Sequence, residues 1–141
     1  MPAVDSKKLQ RQYAALPFVR SQAGVSVLLV TSRETHRWII PKGWPVKGLS
    51  GSEVAALEAR EEAGATGEVA SKPIGAFVYT KRLHFFSTVE CEVKVYPLEV
   101  SKQRLKWRER AQRQLIWVSP EEAAGRVQEA GLAELLRNFR G

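Results

Sequence analysis

Residues 41 to 65 read PKGWPVKGLSGSEVAALEAREEAGA, and within this stretch Glu58, Glu61 and Glu62 stand at helical spacing. On a helix, Glu58 and Glu62 make an i,i+4 pair and Glu61 follows Glu58 by three, so the carboxylates are neighbours on one side. Like charges so placed repel. An oxygen-rich group of this kind suits a hard divalent cation, Mg2+ above all with Mn2+ as an alternative, which keeps several waters and bridges to substrate phosphates. For the helix alone, a solvated face rich in Glu and Ala is the simpler reading, since both are strong helix formers. The preceding residues shift the balance: Gly43, Gly48 and Gly51, with Pro45, make a loop in which backbone can approach a ligand closely.

The elements that must position these groups follow from pattern. Ser50 with Glu53 three residues later matches a capping box, and Gly64 suits the C-terminal cap of the same helix. Upstream, GVSVLLV (24–30) places Val25, Val27 and Leu29 on one face, and RWIIP (37–41) returns across the polar turn TSRETH as the second arm of a hairpin. Two longer strands are expected over 75–82 and 87–98, joined by LHFF and therefore antiparallel neighbours. After the basic segment SKQRLKWRERAQR (101–113) come a strand over 114–118, a helix capped by Ser119 with Pro120 at its first position, and a final amphipathic helix over about 129–139. Residues 5–15 read as a short amphipathic helix or a mobile lead-in. The order predicts an α+β domain, a mixed sheet held between helices.

At 141 residues, with 44% apolar and 26% charged residues, the chain fits one folded domain spanning 1–141. Its net charge of +7 and isoelectric point near 9.9 suggest a polyanionic partner. One cysteine, Cys91, permits no intrachain disulfide and sits on the apolar face of a strand, which favours a buried thiol. No hydrophobic leader and no apolar run of membrane-spanning length stands out, so no membrane partner and a cytoplasmic location are expected.

The stretch from Gly43 to Ala65 resembles the Nudix box, in which a glycine, an acidic position and an Arg-Glu-apolar-any-Glu-Glu-any-Gly-apolar run are set at fixed offsets. Gly43, Glu58, Glu61, Glu62 and Gly64 fall at the required positions, and Ala59 and Ala65 take the small apolar ones. Two positions depart from the pattern: Leu49 stands for the first Glu and Leu57 for the Arg. The resemblance implies a Nudix-like α/β/α sandwich and metal-assisted hydrolysis of a diphosphate linked to a second group, with Glu58, Glu61 and Glu62 on the metal and any one of them available as base. It implies a partner-shell role for the two departing positions. An apolar Leu49–Leu57 contact in place of an ion pair is the expected arrangement, with loss of Glu58 orientation as its rival.

Beyond the box, VLLVTSRETHRWIIPKGW, YTKRL and KWRERAQRQLIWVSPEEA look similar to the diphosphoinositol polyphosphate and dinucleoside polyphosphate phosphohydrolase branch. Arg20, Arg33, Lys42, Gly43, Lys81 and Arg82 are the candidate substrate contacts, arginine being shaped for bidentate phosphate binding. Glu109, acidic within a basic run, is either an additional acid/base or a local salt-bridge partner. Trp38 and Trp117 are expected in the core, Trp44 at a ligand pocket and Tyr79 packed on the sheet; His36 and His84 show no metal-ligand spacing. The resulting expectation is a divalent-metal-dependent pyrophosphohydrolase of a polyphosphorylated small molecule. Pyrophosphohydrolysis at RNA 5′ ends, or a non-catalytic module binding nucleotide or RNA, remains as an alternative, with RNA the lesser partner for want of a stacking motif.

Overall fold

The computed structural model describes residues 9–84 and 87–141. In chain order the elements are β1 (Gln10–Ser21), β2 (Gly24–Thr31), β3 (Trp38–Ile39), β4 (Lys42–Gly43), α1 (Gly51–Ala63), β5 (Ala65–Val69), β6 (Gly75–His84), β7 (Ser87–Gln103), β8 (Leu115–Val118), α2 (Pro120–Arg126) and α3 (Ala130–Arg137). All eight strands join one mixed sheet with the central path β3-β2-β1-β7-β5; β4 adds to β1, β6 to β7 and β8 to β2.

The central strand is the one that the sequence pattern disguises. Residues 10–15, expected as part of a short helix or a lead-in, belong to β1, and residues 5–8 of that expectation lie outside the described residues. β1 runs parallel to β7 from Gln10↔Cys91 to Phe18↔Glu99 and antiparallel to β2 from Phe18↔Val27 to Ser21↔Gly24. Ala14, Ala15 and Leu16 have no solvent exposure. A strand covered on both faces reads as a continuous apolar run without alternation, and burial between two neighbours outweighs the helix preference of Ala and Gln.

Successive side chains along β1 and β2 point to opposite faces and so feed two separate cores. Ala14, Leu16, Val27 and Leu29 join Val93 and Val95 beneath Ala123, Leu132 and Leu136 of α2 and α3. On the other face Ala15, Tyr96 and Leu98 meet Ala55 and Ala59 of α1, while Leu28, Val30 and Ile39 meet Ala63 and Ala65. The expected α+β architecture, a mixed sheet between helices, is the one observed.

Several local expectations change. β5 is an additional strand, and β7 continues to Gln103 because it pairs first with β6 and then, through a bulge between Thr66 and Gly67, with β5. Trp38 is half-buried against the α2/α3 core, whereas Trp117 is 37% exposed and no core residue. Cys91 is buried, as its strand position indicated. Within the LHFF connection, Phe85 and Phe86 lie outside the described residues. Among the described residues no helix is long and apolar enough to cross a membrane.

Candidate functional site

α1 is defined at both ends by its own sequence. Ser50 Oγ accepts from Glu53 N at 3.2 Å and Glu53 Oε1 accepts from Ser50 N at 2.8 Å, completing the capping box. Gly64 ends the helix at φ 65°, and its N–H donates to the carbonyls of Ala59 and Arg60. The carbonyls at this end of the helix then find partners at the end of β7 and in the segment that follows it. Gln103 Nε2 donates to Ala63 O at 2.8 Å, Trp107 Nε1 to Glu62 O at 3.1 Å, Glu109 N to Glu61 O at 3.2 Å and Arg104 N to Gly64 O at 2.8 Å. A helix leaves its final carbonyls without internal partners and carries partial negative charge there, so donors and cations are favoured at that end. The basic run is thus more than a set of solvated charges: it caps the acidic helix and delivers Glu109 to it.

Four carboxylates from two elements now stand together. Glu62 is buried, Glu58 and Glu61 are half-buried, and Glu109 has a side chain only 15% exposed. Glu58 and Glu62 face each other closely enough to share a proton, and Glu62 Oε1 is buried without a hydrogen-bond partner. Burial is the first cause that raises the Glu62 carboxyl, to about 9, with the hydrogen bond to Glu58 second and the Arg113 guanidinium opposing both. Glu58 is raised as well, again first by burial. Glu61 is turned outward to Arg108, 3.7 Å away across an exposed pair. Among the described residues no three acidic, His or Cys side chains already form a metal-holding group.

The main cation among the carboxylates is Arg113, the last residue of the basic segment 101–113. Its side chain is 7% exposed; Nε lies 2.7 Å from Glu109 Oε1 and an Nη 3.8 Å from Glu62 Oε2. Glu109 is therefore engaged in a salt bridge, the second of the two roles open to it. No local pattern marks Arg113, because its burial depends on how the end of β2 meets α1. Glu129 and Arg37 were also missed; they pair at 3.4 Å, and both add to the field at Lys42.

The predicted substrate contacts divide. Lys42 and Gly43 form β4 beside Tyr13 and Ala14 of β1, and an added Cβ at Gly43 would lie 2.5 Å from the Glu58 carboxylate. The Lys42 ammonium sits 5.0 Å over the Tyr79 ring, and its pKa is lowered first by burial, against the pull of Glu62 and Glu129. Lys81 is close enough to Lys42 to add to that lowering and shares a face of β6 with Tyr79. Arg33 is exposed and hydrogen-bonds Gln112 at 3.4 Å, at the edge of the carboxylate group. Arg82 alternates to the other face of β6 and is exposed. Arg20 is seven residues along β1 from Tyr13, about 23 Å at the usual strand rise, and pairs with both Glu99 oxygens at 3.3 Å. Neither Arg82 nor Arg20 belongs to this site.

The two leucines are also placed. Leu49 is 40% exposed and Leu57 is half-buried, and neither belongs to a core cluster. Leu57 instead lies in an open groove of about 400 Å3 with Arg60, Glu61, Arg104, Lys106, Trp107 and Arg108.

Gly43 gives a direct test of this geometry. Gly43→Ala should fold, because the atom in its way ends a flexible side chain, but it must displace the Glu58 carboxylate. The expected result is a melting temperature within about 3 °C of the parent, roughly 1 kcal/mol or less, with divalent-cation affinity measured by calorimetry down roughly tenfold or more.

Comparison with known proteins bears on the family and the fold. No family model matches the chain. Nudix hydrolase 4 of Arabidopsis thaliana is 33% identical over 115 residues, covering 82% of this chain and 54% of that protein. The chloroplastic Nudix hydrolase 21 of the same plant is 33% identical over 117 residues, covering 82% and 57%. The chain thus spans little more than half the length of these relatives. Among solved structures, Ap4A hydrolase of C. elegans superposes with a TM-score of 0.65 at 18% identity, covering 92% of this chain and 94% of that one. A binary complex of the same enzyme gives 0.67 at 18% identity, covering 91% and 93%. The fold, the spacing of Gly43, Glu58, Glu61, Glu62 and Gly64, and the identity to these relatives lead to one assignment: the chain belongs to the Nudix hydrolase family.

Proposed function

We propose that the chain is a divalent-metal-dependent pyrophosphohydrolase that cleaves a diphosphate linkage in a polyphosphorylated small molecule, a dinucleoside polyphosphate or a diphosphoinositol polyphosphate. The observation that carries this reading is the state of Glu62: a buried carboxylate, facing Glu58, with one oxygen that meets no donor. Such an oxygen is costly unless a proton or a cation satisfies it. Gly43 supplies the space, since any side chain there would press on Glu58. These donors fit a hard cation, Mg2+ first and Mn2+ second, held by Glu58 and Glu62 with Glu61 as the third ligand. Glu61 has little to give up in turning inward, because its exposed pair with Arg108 is worth about 1 kcal/mol or less.

The bound ion would neutralise phosphate charge and acidify an attacking water. The chain's own groups do the rest. One of the three carboxylates takes the proton of that water. The Lys42 ammonium, beside Glu62, meets a phosphate oxygen, and Lys81 and Arg33 flank it for the neighbouring phosphates. Because the superposed C. elegans structures are of an Ap4A hydrolase, a dinucleoside polyphosphate is the first substrate to try. Hydrolysis at RNA 5′ ends has one observation in its favour, the groove where Arg60, Arg104 and Lys106 surround Trp107.

The deciding experiment supplies diadenosine tetraphosphate, a diphosphoinositol polyphosphate and capped RNA separately, with Mg2+ or with EDTA, and measures product release. Turnover of a small polyphosphate only in Mg2+ is expected. Turnover of capped RNA alone would move the assignment to RNA ends. No turnover of any of them, together with binding that a Glu61→Gln, Glu62→Gln variant leaves unchanged, would assign a non-catalytic binding module.

A further inference from the structure

Thr31 ends β2, Glu62 lies in the last turn of α1 and Glu109 belongs to the segment joining β7 to β8, and one guanidinium reaches all three. Arg113 Nε donates to Glu109 Oε1 at 2.7 Å, one Nη donates to Thr31 O at 2.9 Å and the other stands 3.8 Å from Glu62 Oε2. The backbone around it is fixed independently of these contacts. Thr31 N donates to Gln114 O at 3.1 Å, and Gln114 N donates to the buried Thr31 Oγ1 at 2.9 Å. The side chain therefore leaves a clamped backbone and, buried at 7% exposure, arrives between two carboxylates with its plane determined. Its neighbours in sequence behave differently: the side chain of Arg108 is 75% exposed, and Arg104, Lys106 and Arg110 are exposed.

We propose that Arg113 is the positioning residue of the acidic site. It holds Glu109 against the end of α1 and occupies the Oε2 side of Glu62, which leaves the unpartnered Oε1 as the oxygen open to a ligand. α1 does not supply this cation itself. Position 57 is Leu, and its neighbour at i+4 is Glu61 rather than Glu62, so even an arginine there would face the outer groove with Arg104 and Arg108. The planar fork matters as much as the charge, because a lysine ammonium has no rigid plane to span three acceptors in fixed directions. A buried pair broken on one side leaves the other charge uncompensated, so loss of Arg113 should disorder both carboxylates. This inference rests on the proposed metal-binding role of Glu58 and Glu62.

The test titrates Mn2+ into the parent protein, Arg113→Gln, Arg113→Lys and the double variant Leu57→Arg, Arg113→Gln. Binding is followed by the loss of the free-ion electron paramagnetic resonance signal, with a thermal melt of each protein alongside. Arg113→Gln should bind Mn2+ at least about tenfold more weakly. Arg113→Lys, which keeps the charge and so guards against a variant that fails to fold, should still bind several-fold more weakly at a near-parental melting temperature. The double variant should bind no better than Arg113→Gln. Parental affinity in Arg113→Lys, or in an Arg113→Gln protein whose melting temperature alone has dropped, would reduce Arg113 to a structural residue and overturn the proposal. Recovery of parental affinity by Leu57→Arg would overturn it too, by showing that any nearby positive charge suffices. Substrate turnover plays no part in this readout: absent hydrolysis with Arg113-dependent Mn2+ binding would refute the enzymatic reading and leave the positioning role standing.

Discussion

Replacing Glu62 by Gln is expected to abolish most hydrolysis and, in the metal-free protein, to raise stability. Both effects come from the same buried carboxyl. In the proposed role of metal ligand and candidate base, Glu62 is expected to contribute at least about 10²-fold to turnover, the lower range for a positioned proton acceptor. As a folding element it is a liability above mid-acidic pH. Its carboxyl titrates near 9 in the fold against an ordinary 4.5, so between those values the folded state holds a proton that the unfolded state has released. Stability attributable to this group is fully present below 4.5 and is lost progressively as pH climbs through about 9. Gln carries no ionisable proton and its amide can donate to Glu58, which leaves Arg113 its bonds to Glu109 and Thr31. At pH 8 without divalent ions, Glu62→Gln should melt about 6 °C above the parent, on the order of 2 kcal/mol. At pH 5 the two should nearly coincide. Thermal melts at both pH values check this, and equal melting temperatures at pH 8 would show that Glu62 is charged and solvated rather than buried.

The legible and illegible parts of this molecule separate along a physical line. α1 could be read because every signal that defines it is local: a reciprocal cap at Ser50 and Glu53, an αL glycine at Gly64, and carboxylates whose spacing is fixed by the helical repeat. The β2–β3 hairpin was likewise local. β1 was hidden because its role depends on remote partners. Pro17 sits in mid-strand, where it offers no N–H, and its neighbours Ala14 and Ala15 carry a helical preference that only burial between β7 and the β4 segment overrides. The same reasoning applies to the basic segment 101–113. Which of its cations is solvated and which is buried is decided where the end of β2 meets α1, and this separates Arg113, at 7% side-chain exposure, from Arg108, at 75%. Arg20 erred the other way. Its charge suggested phosphate, while the register puts it beside Glu99 at the far end of the sheet.

Charge in the site is arranged in two zones. Glu58, Glu62 and Glu109 gather at the end of α1 around Arg113 with Glu61 turned to Arg108 beside them, while Lys42 and Lys81 lie over the sheet beside Tyr79. A polyphosphate needs both zones, one through a bridging cation and the other through direct contact with its oxygens. Lys42 connects them. Its ammonium loses water on burial and is drawn by Glu62 and Glu129, so it is already partly engaged by the acidic zone.

Divalent-cation binding should therefore be strongly pH-dependent. The Glu58–Glu62 pair carries a proton across the neutral range, since burial raises both groups and holds Glu62 near 9. A cation takes the ionised carboxylates, so each ion bound near neutrality displaces about one proton, and apparent affinity should rise about tenfold per pH unit between pH 6 and 8. Calorimetric titration of Mn2+ in two buffers of different ionisation enthalpy counts that proton directly: the difference in apparent binding heat equals the difference in buffer enthalpy times the protons released. In Glu62→Gln the release should vanish and the residual affinity should become nearly independent of pH, because the proton being displaced resides chiefly on that carboxyl. Turnover at subsaturating Mg2+ should follow the same slope in the parent and flatten once the metal is saturating. An affinity unchanged between pH 6 and 8, with no buffer-dependent heat, would mean that both carboxylates are already ionised and that the orphaned Glu62 oxygen is satisfied by some other group.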